Sequence, residues 1–175
     1  MNFSIIRARN TLALLTLFYV AETSSSFCAE PTNPSDQPSV AVDISTDRGS
    51  SPVYREGEEM TVITQTSAAV NLYCFYMDGS GKISRIFPNR HHPLPSVASQ
   101  SPLQIPNQGM SIRMDRPLTM SAIRCFATQS SPPVSPPLGP DLEALRIQSL
   151  DALTETVLNL APDSVIATLV VTTTK

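Results

Sequence analysis

The chain has 175 residues, 41% hydrophobic and 15% charged, with 16 Pro, 6 Gly, no Trp and a formal net charge of −3. That size allows one modest core beside irregular segments. The charge balance argues against phosphate-backbone binding, which requires a basic footprint, so nucleic acid is not an expected partner.

The N-terminal segment MNFSIIRARNTLALLTLFYVAETSSSFCAE places Arg7 and Arg9 before an apolar run at residues 11–21 and follows that run with small polar residues, the order of a secretory signal. The run is too short to span a bilayer comfortably, and no transmembrane span is expected in the mature chain. Cleavage after Ala29 would set the bulky Phe27 where a small residue is preferred, whereas cleavage nearer Ser26 satisfies that rule. A lipid anchor on Cys28 is the minor alternative, since Phe27 fits a lipobox poorly. With residues 1–29 taken as the signal, Arg7, Arg9 and Glu22 leave with it, and 10 basic against 14 acidic residues remain, a net charge of −4. The expected location is the periplasm or cell envelope.

Residues 30–38, rich in Pro, Ser, Asn and Asp, read as a tether, and residues 39–175 as a single domain. In SVAVDIST, Val40, Val42 and Ile44 alternate with Ala41 and Asp43, the period of a strand with one buried face. A polar loop turning at Glu56-Gly57 leads to EMTVITQT, whose branched residues suit a second strand. VNLYCFYM, the turn DGSG and KISRIF form a hairpin signal, and Pro88 should end its second arm. NRHHPLPSVASQSP is a loop on its prolines, SPLQIP a short edge strand, and MSIRM and MSAIRCFAT further strand patterns.

The proline-rich stretch at residues 130–140 is expected to be an extended, exposed linker. A helix is expected over residues 141–160. Asp141 stands at its start, and Leu142, Leu145, Leu150, Leu153, Val157 and Leu160 make an apolar stripe. Residues 164–174 close the chain as a strand with Val165, Ala167, Leu169 and Val171 on one face. The expected fold is mainly β: a small antiparallel β-sandwich or curled sheet with one C-terminal helix packed beside it and a final strand.

YREGEEMTV, NLYCFYMDGSGKISRIFPN, LQIP and SAIRCFATQ, in that order and spacing, resemble the bacterial domain of unknown function 4384, over residues 54–129. The aromatic strand, the D-G-x-G turn and the F-P-N after the next strand are the most specific part. The resemblance implies a mostly β domain without an assigned activity, found in exported proteins and beside enzymatic or envelope domains. This chain is expected to be a stand-alone form in which the helix and last strand complete the fold.

Cys74 and Cys125 lie mid-strand, and in an oxidising compartment they are expected to pair, with two buried free thiols as the alternative. No nucleophile motif surrounds either cysteine, so a catalytic pairing with His91 or His92 is not supported. Adjacent loop histidines without nearby acids do not make a tetrahedral metal set, and Asp78-Gly79-Ser80-Gly81 lacks the alternating acids of a calcium loop. Tyr73, Phe75, Tyr76 and Phe87 are expected to fill a core rather than form a stacking platform. No catalytic residue, metal site or cofactor is assigned.

The expected function is that of a non-catalytic envelope interaction or scaffold module, an accessory part of a secretion or surface-organelle assembly, bound to an envelope protein partner. Asn89, Arg90, His91 and His92, in the loop at residues 88–102, are the candidate contact, because loops on a rigid sheet carry recognition. Exposed sheet edges are a second route to a partner. The rival readings are a small-molecule-binding or regulatory domain using a pocket beside Tyr73 or Tyr76, and, less favoured, a hydrolase using the loop histidines.

Overall fold

A computed structural model describes residues 39–106, 109–132 and 138–175. The signal, tether and Cys28 anchor expectations lie outside the described residues. The strands are β1 (Val42–Thr46), β2 (Val53–Arg55), β3 (Glu59–Met60), β4 (Val62–Thr66), β5 (Val70–Met77), β6 (Ile83–Phe87), β7 (Ser96–Val97), β8 (Leu103–Ile105), β9 (Ile112–Arg113), β10 (Thr119–Thr128) and β11 (Val165–Thr174), with one helix, α1 (Leu150–Leu160), among the described residues. The fold is the mainly β, sandwich-like arrangement with a late helix expected from the sequence.

Three sheets form. β1, β4 and β8 pair in that order; β2, β11, β10, β5 and β6 make the large sheet, with β7 added to β5; β3 pairs with β9. All pairs are antiparallel except β2 on β11. The period of two sorts the side chains. Leu72 and Cys74 of β5, Ile123, Cys125 and Ala127 of β10, and Leu169 and Val171 of β11 face Ile44, Val62 and Ile105 of the smaller sheet, forming the main core. On the opposite face of the large sheet Tyr73, Phe75 and Phe126 meet Leu153 and Val157 of α1. The Phe75 and Phe126 rings meet edge to face, with centroids 5.9 Å apart. Arg124 clamps this helix to the sheet: its guanidinium donates to the Leu150 carbonyl (2.9 Å) and to Thr154 Oγ1 (2.8 Å).

Two expectations need correction. The helix begins at Leu150, not at 141: Leu142 has φ +60°, incompatible with a continuing helix, while Ser149 is extended and accepts from the Ala152 N–H as N-cap. The preceding residues instead run along the outer edge of β6, where the Leu142 N–H donates to the Arg85 carbonyl and the Leu145 N–H to the Ile83 carbonyl. The leucine stripe therefore serves two elements, an edge cover and a helix. Nor is the stretch at 130–140 uniformly exposed, because Pro132 and Leu138 are buried, Leu138 in the core beneath α1; residues 133–137 lie outside the described residues. A leucine beside an uncovered aromatic cluster gains more from burial than a proline-rich context opposes.

Asp163, between α1 and β11, holds the end of β10. Its carboxylate accepts from Thr128 Oγ1 (2.8 Å), Ser130 Oγ (2.8 Å) and the Gln129 N–H (2.9 Å). The Thr128 hydroxyl, then those from Ser130 and Gln129, hold its pKa down at about 2 against partial desolvation. A depressed carboxylate pKa stabilises the fold above the unfolded value and loses that contribution as pH falls through the folded one. Asp163→Asn is therefore expected to lower stability at neutral pH and to flatten the acid limb of the stability profile between about 4 and about 2. Thermal melts across that range, compared with the parent protein, check it.

Candidate functional site

The large sheet places the two cysteines opposite each other, Cys74 on β5 against Cys125 on β10. They form a disulfide with Cα atoms 4.1 Å apart, both fully buried. Such a bridge has no access to solvent or substrate and staples the centre of the sheet.

After β6 the chain enters the candidate contact loop through Pro88. Asn89 is buried and organises it: its side-chain oxygen accepts from the His91 N–H (2.8 Å) and the His92 N–H (3.0 Å), and its amide donates to the Ile86 carbonyl (2.7 Å). Asn89 and His92 also exchange both backbone hydrogen bonds. Arg90 is tied to Asp141 by its backbone N–H (2.7 Å) and its Nε (3.1 Å), and donates to the Asp141 carbonyl. Desolvation works against Asp141, but the two bonds from Arg90 hold its carboxyl below the usual carboxylate range. The buried guanidinium of Arg85 adds a further attraction between loop and latch, although burial itself pulls the Arg85 pKa down. The ring of His92 meets Phe87 edge-on at 5.0 Å.

Of the four predicted contact residues, then, Asn89 is a buried organiser and His92 is half-buried. Arg90 and His91 are exposed, and Leu94, 68% exposed, joins them. Asp141, missed as a site residue, lies 51 positions from Arg90; the only signal it gave was an acid after a proline, which equally marks a helix start.

Tyr73, Phe75 and Phe87 fill the core, whereas Tyr76 is half-buried and borders an open cleft of about 380 Å³. Tyr76, Asp78, Ser84 and Ile86 line it together with the consecutive residues 110–113 and Asp115. The Tyr76 hydroxyl lies 3.2 Å from Ser121 Oγ. Burial first, then the charges of Asp115 and Asp78, raise its pKa, while the Ser121 bond lowers it. Asp78 itself is engaged in its turn, accepting from the Ser80 N–H, the Ser80 hydroxyl and the Lys82 N–H. Gly79 in that turn admits no side chain, since a Cβ would stand 2.3 Å from Thr119 Oγ1. Among the described residues no three His, Cys, Asp or Glu side chains gather where they could hold a metal ion.

The YREGE segment is structural too. Tyr54 is fully buried and donates to Asp47, and the Arg48 guanidinium lies 4.2 Å above its ring centroid. Glu58 accepts from the Arg55 N–H and pairs with Arg48 at 2.7 Å, and Gly57 turns with φ +83°. No curated protein and no solved structure matches the chain. The sequence of residues 53–131, running from β2 through the bridged pair β5 and β10, matches the model of the family described as Domain of unknown function (DUF4384).

Proposed function

We propose that the protein is a non-catalytic interaction module of the cell envelope, exported by its N-terminal signal, whose contact surface is the loop carrying Arg90, His91 and Leu94. The observation that carries this reading is the loop's pre-organisation. Asn89 from within and Asp141 from the side hold the backbone, so a partner would bind without having to order the loop, which removes a principal cost of association. An arginine, an imidazole and a leucine together suit a partner surface that is acidic around an apolar spot. The polar groups that would otherwise suggest chemistry are committed elsewhere: Asp78 to its turn, Asn89 to the loop and Asp141 to Arg90. A buried disulfide supports export, since such bridges persist in oxidising compartments.

A photo-crosslinker placed at Leu94 in cells is expected to capture a small, reproducible set of envelope proteins. Arg90→Ser combined with His91→Ser should weaken binding to a captured partner by roughly ten- to thirtyfold with an unchanged melting temperature. Asp141→Ala, which removes none of the contact side chains but frees the loop and the Arg90 side chain, should weaken it severalfold. Titration of the purified pair measures both. Unchanged affinity in the double variant would remove the loop from the interface.

The rival small-molecule reading draws on the cleft beside Tyr76. That cleft is open to solvent, which offers a small molecule little enclosure.

A further inference from the structure

Among the described residues β9 pairs along one edge with one strand, β3, in a sheet of two strands. The bonds on that edge run through Met114, whose N–H donates to the Glu58 carbonyl (2.9 Å) and whose carbonyl accepts from the Gly57 N–H (2.7 Å). In an antiparallel ladder, residues alternate between turning both backbone groups toward the partner and turning both away. Ile112 shares the parity of Met114, so Ser111 and Arg113 direct their N–H and C=O groups away from β3. Ser111 and Arg113 are both among the residues that line the cleft. The side chains agree: Ile112 and Met114 are buried in the main core, whereas Ser111 and Arg113 are exposed. Ser111 and Arg113 therefore border the cleft with backbone groups that, among the described residues, no strand pairs.

We propose that this cleft is a strand-docking groove, in which an extended segment of a partner polypeptide pairs with the free edge of β9. The inference does not draw on the role of the Arg90 loop. Donors and acceptors repeating every second residue specify an extended backbone, which a compact small molecule does not offer. Tyr76, Ile86 and Leu142 receive the inward side chains of the added strand, which must be apolar at alternate positions. With Arg113 paired to Glu59, Asp78 and Asp115 outnumber Lys82 in the lining, so the groove carries a net negative charge and takes a lysine or arginine. Arg113, the nearest opposing charge on the same strand, is turned to Glu59 at 3.1 Å.

The test is a selection of random ten-residue peptides displayed on phage against the purified, disulfide-intact protein. Enriched peptides are expected to carry apolar residues at every second position and a basic residue. On binding, the amides of Ser111 and Arg113 should become protected from hydrogen exchange. Ser111→Pro deletes one outward N–H while leaving the ladder to β3, and should weaken the best peptide roughly tenfold. If that variant fails to fold, Leu142→Asn, which tolerates the positive φ and removes an apolar wall, should weaken binding severalfold. The proposal is overturned if nothing enriches, if the peptides lack a period of two, if the two amides stay unprotected, or if a second copy of the chain occupies β9 as a concentration-dependent dimer.

Discussion

Replacing Cys74 and Cys125 together by alanine is expected to lower the unfolding free energy by about 4 kcal/mol, the chain-entropy value for a closed loop of this length. The cysteines are 51 positions apart in sequence, and the bridged strands contribute to both sides of the large sheet, so opening the bridge releases denatured-state entropy that neither core restores. In melting temperature the loss is on the order of 10 °C or more. Urea denaturation of the double variant beside the oxidised parent checks the figure. An equal midpoint would mean that packing of β5 on β10 alone accounts for the stability. Because both sulfurs are fully buried, the parent should also resist reduction by mild thiols in the folded state and yield to them only once denaturant opens the sheet.

Tyr54→Ala is expected to cost about 3–5 kcal/mol, the range for deleting a buried aromatic ring. The ring anchors a polar knot joining three segments. Its hydroxyl bonds Asp47, Asp47 also accepts from the Thr61 N–H, and Arg48 lies over the ring while pairing with Glu58. Tyr54→Phe keeps the ring and removes only the hydroxyl, for about 1–2 kcal/mol. The two variants separate packing from hydrogen bonding. They also differ from the parent in alkali. Burial, and then the bond to Asp47, push the Tyr54 pKa up to about 12 from an ordinary value of 10.0. A group with a raised folded pKa contributes stability that is complete below its unfolded value and is lost as pH rises through the folded one. The parent should therefore lose stability between about pH 10 and 12 more steeply than Tyr54→Phe, whose profile should be flatter there. Equal slopes would place the alkaline sensitivity elsewhere. Tyr54 opens the YREGE segment within the family-matched region, and the knot gives a structural reason for that segment: Glu58 closes the turn at Gly57 and holds Arg48 over the ring.

How much of this was legible in the residues differs from element to element. β11 was readable because Val165, Ala167, Leu169 and Val171 keep strict alternation over a long run, and their burial follows it. β5 and β6 were readable from an aromatic strand, a D-G-S-G turn and a proline. The start of α1 was not. Leu142 and Leu145 satisfy helical spacing equally well when an extended segment covers an edge strand, and only the presence of β6 alongside distinguishes the two. The candidate contact loop was legible as a loop with exposed basic residues, but its bonding was not, because one of its two anchors, Asp141, is distant in sequence.

The linear chain by itself determined the mainly β class, the hairpin and the last strand, since alternation, turn residues and proline positions act through local geometry that each segment carries alone. It also nominated Cys74 and Cys125 without showing that they meet. Only the tertiary structure decided that these two face each other across β5 and β10, that Arg90 is latched, and that residues 110–113 line a cleft together with Tyr76. Each of those facts depends on which strand lies beside which and in what register, a relation between distant segments set by packing and hydrogen bonding and invisible to any single segment's pattern.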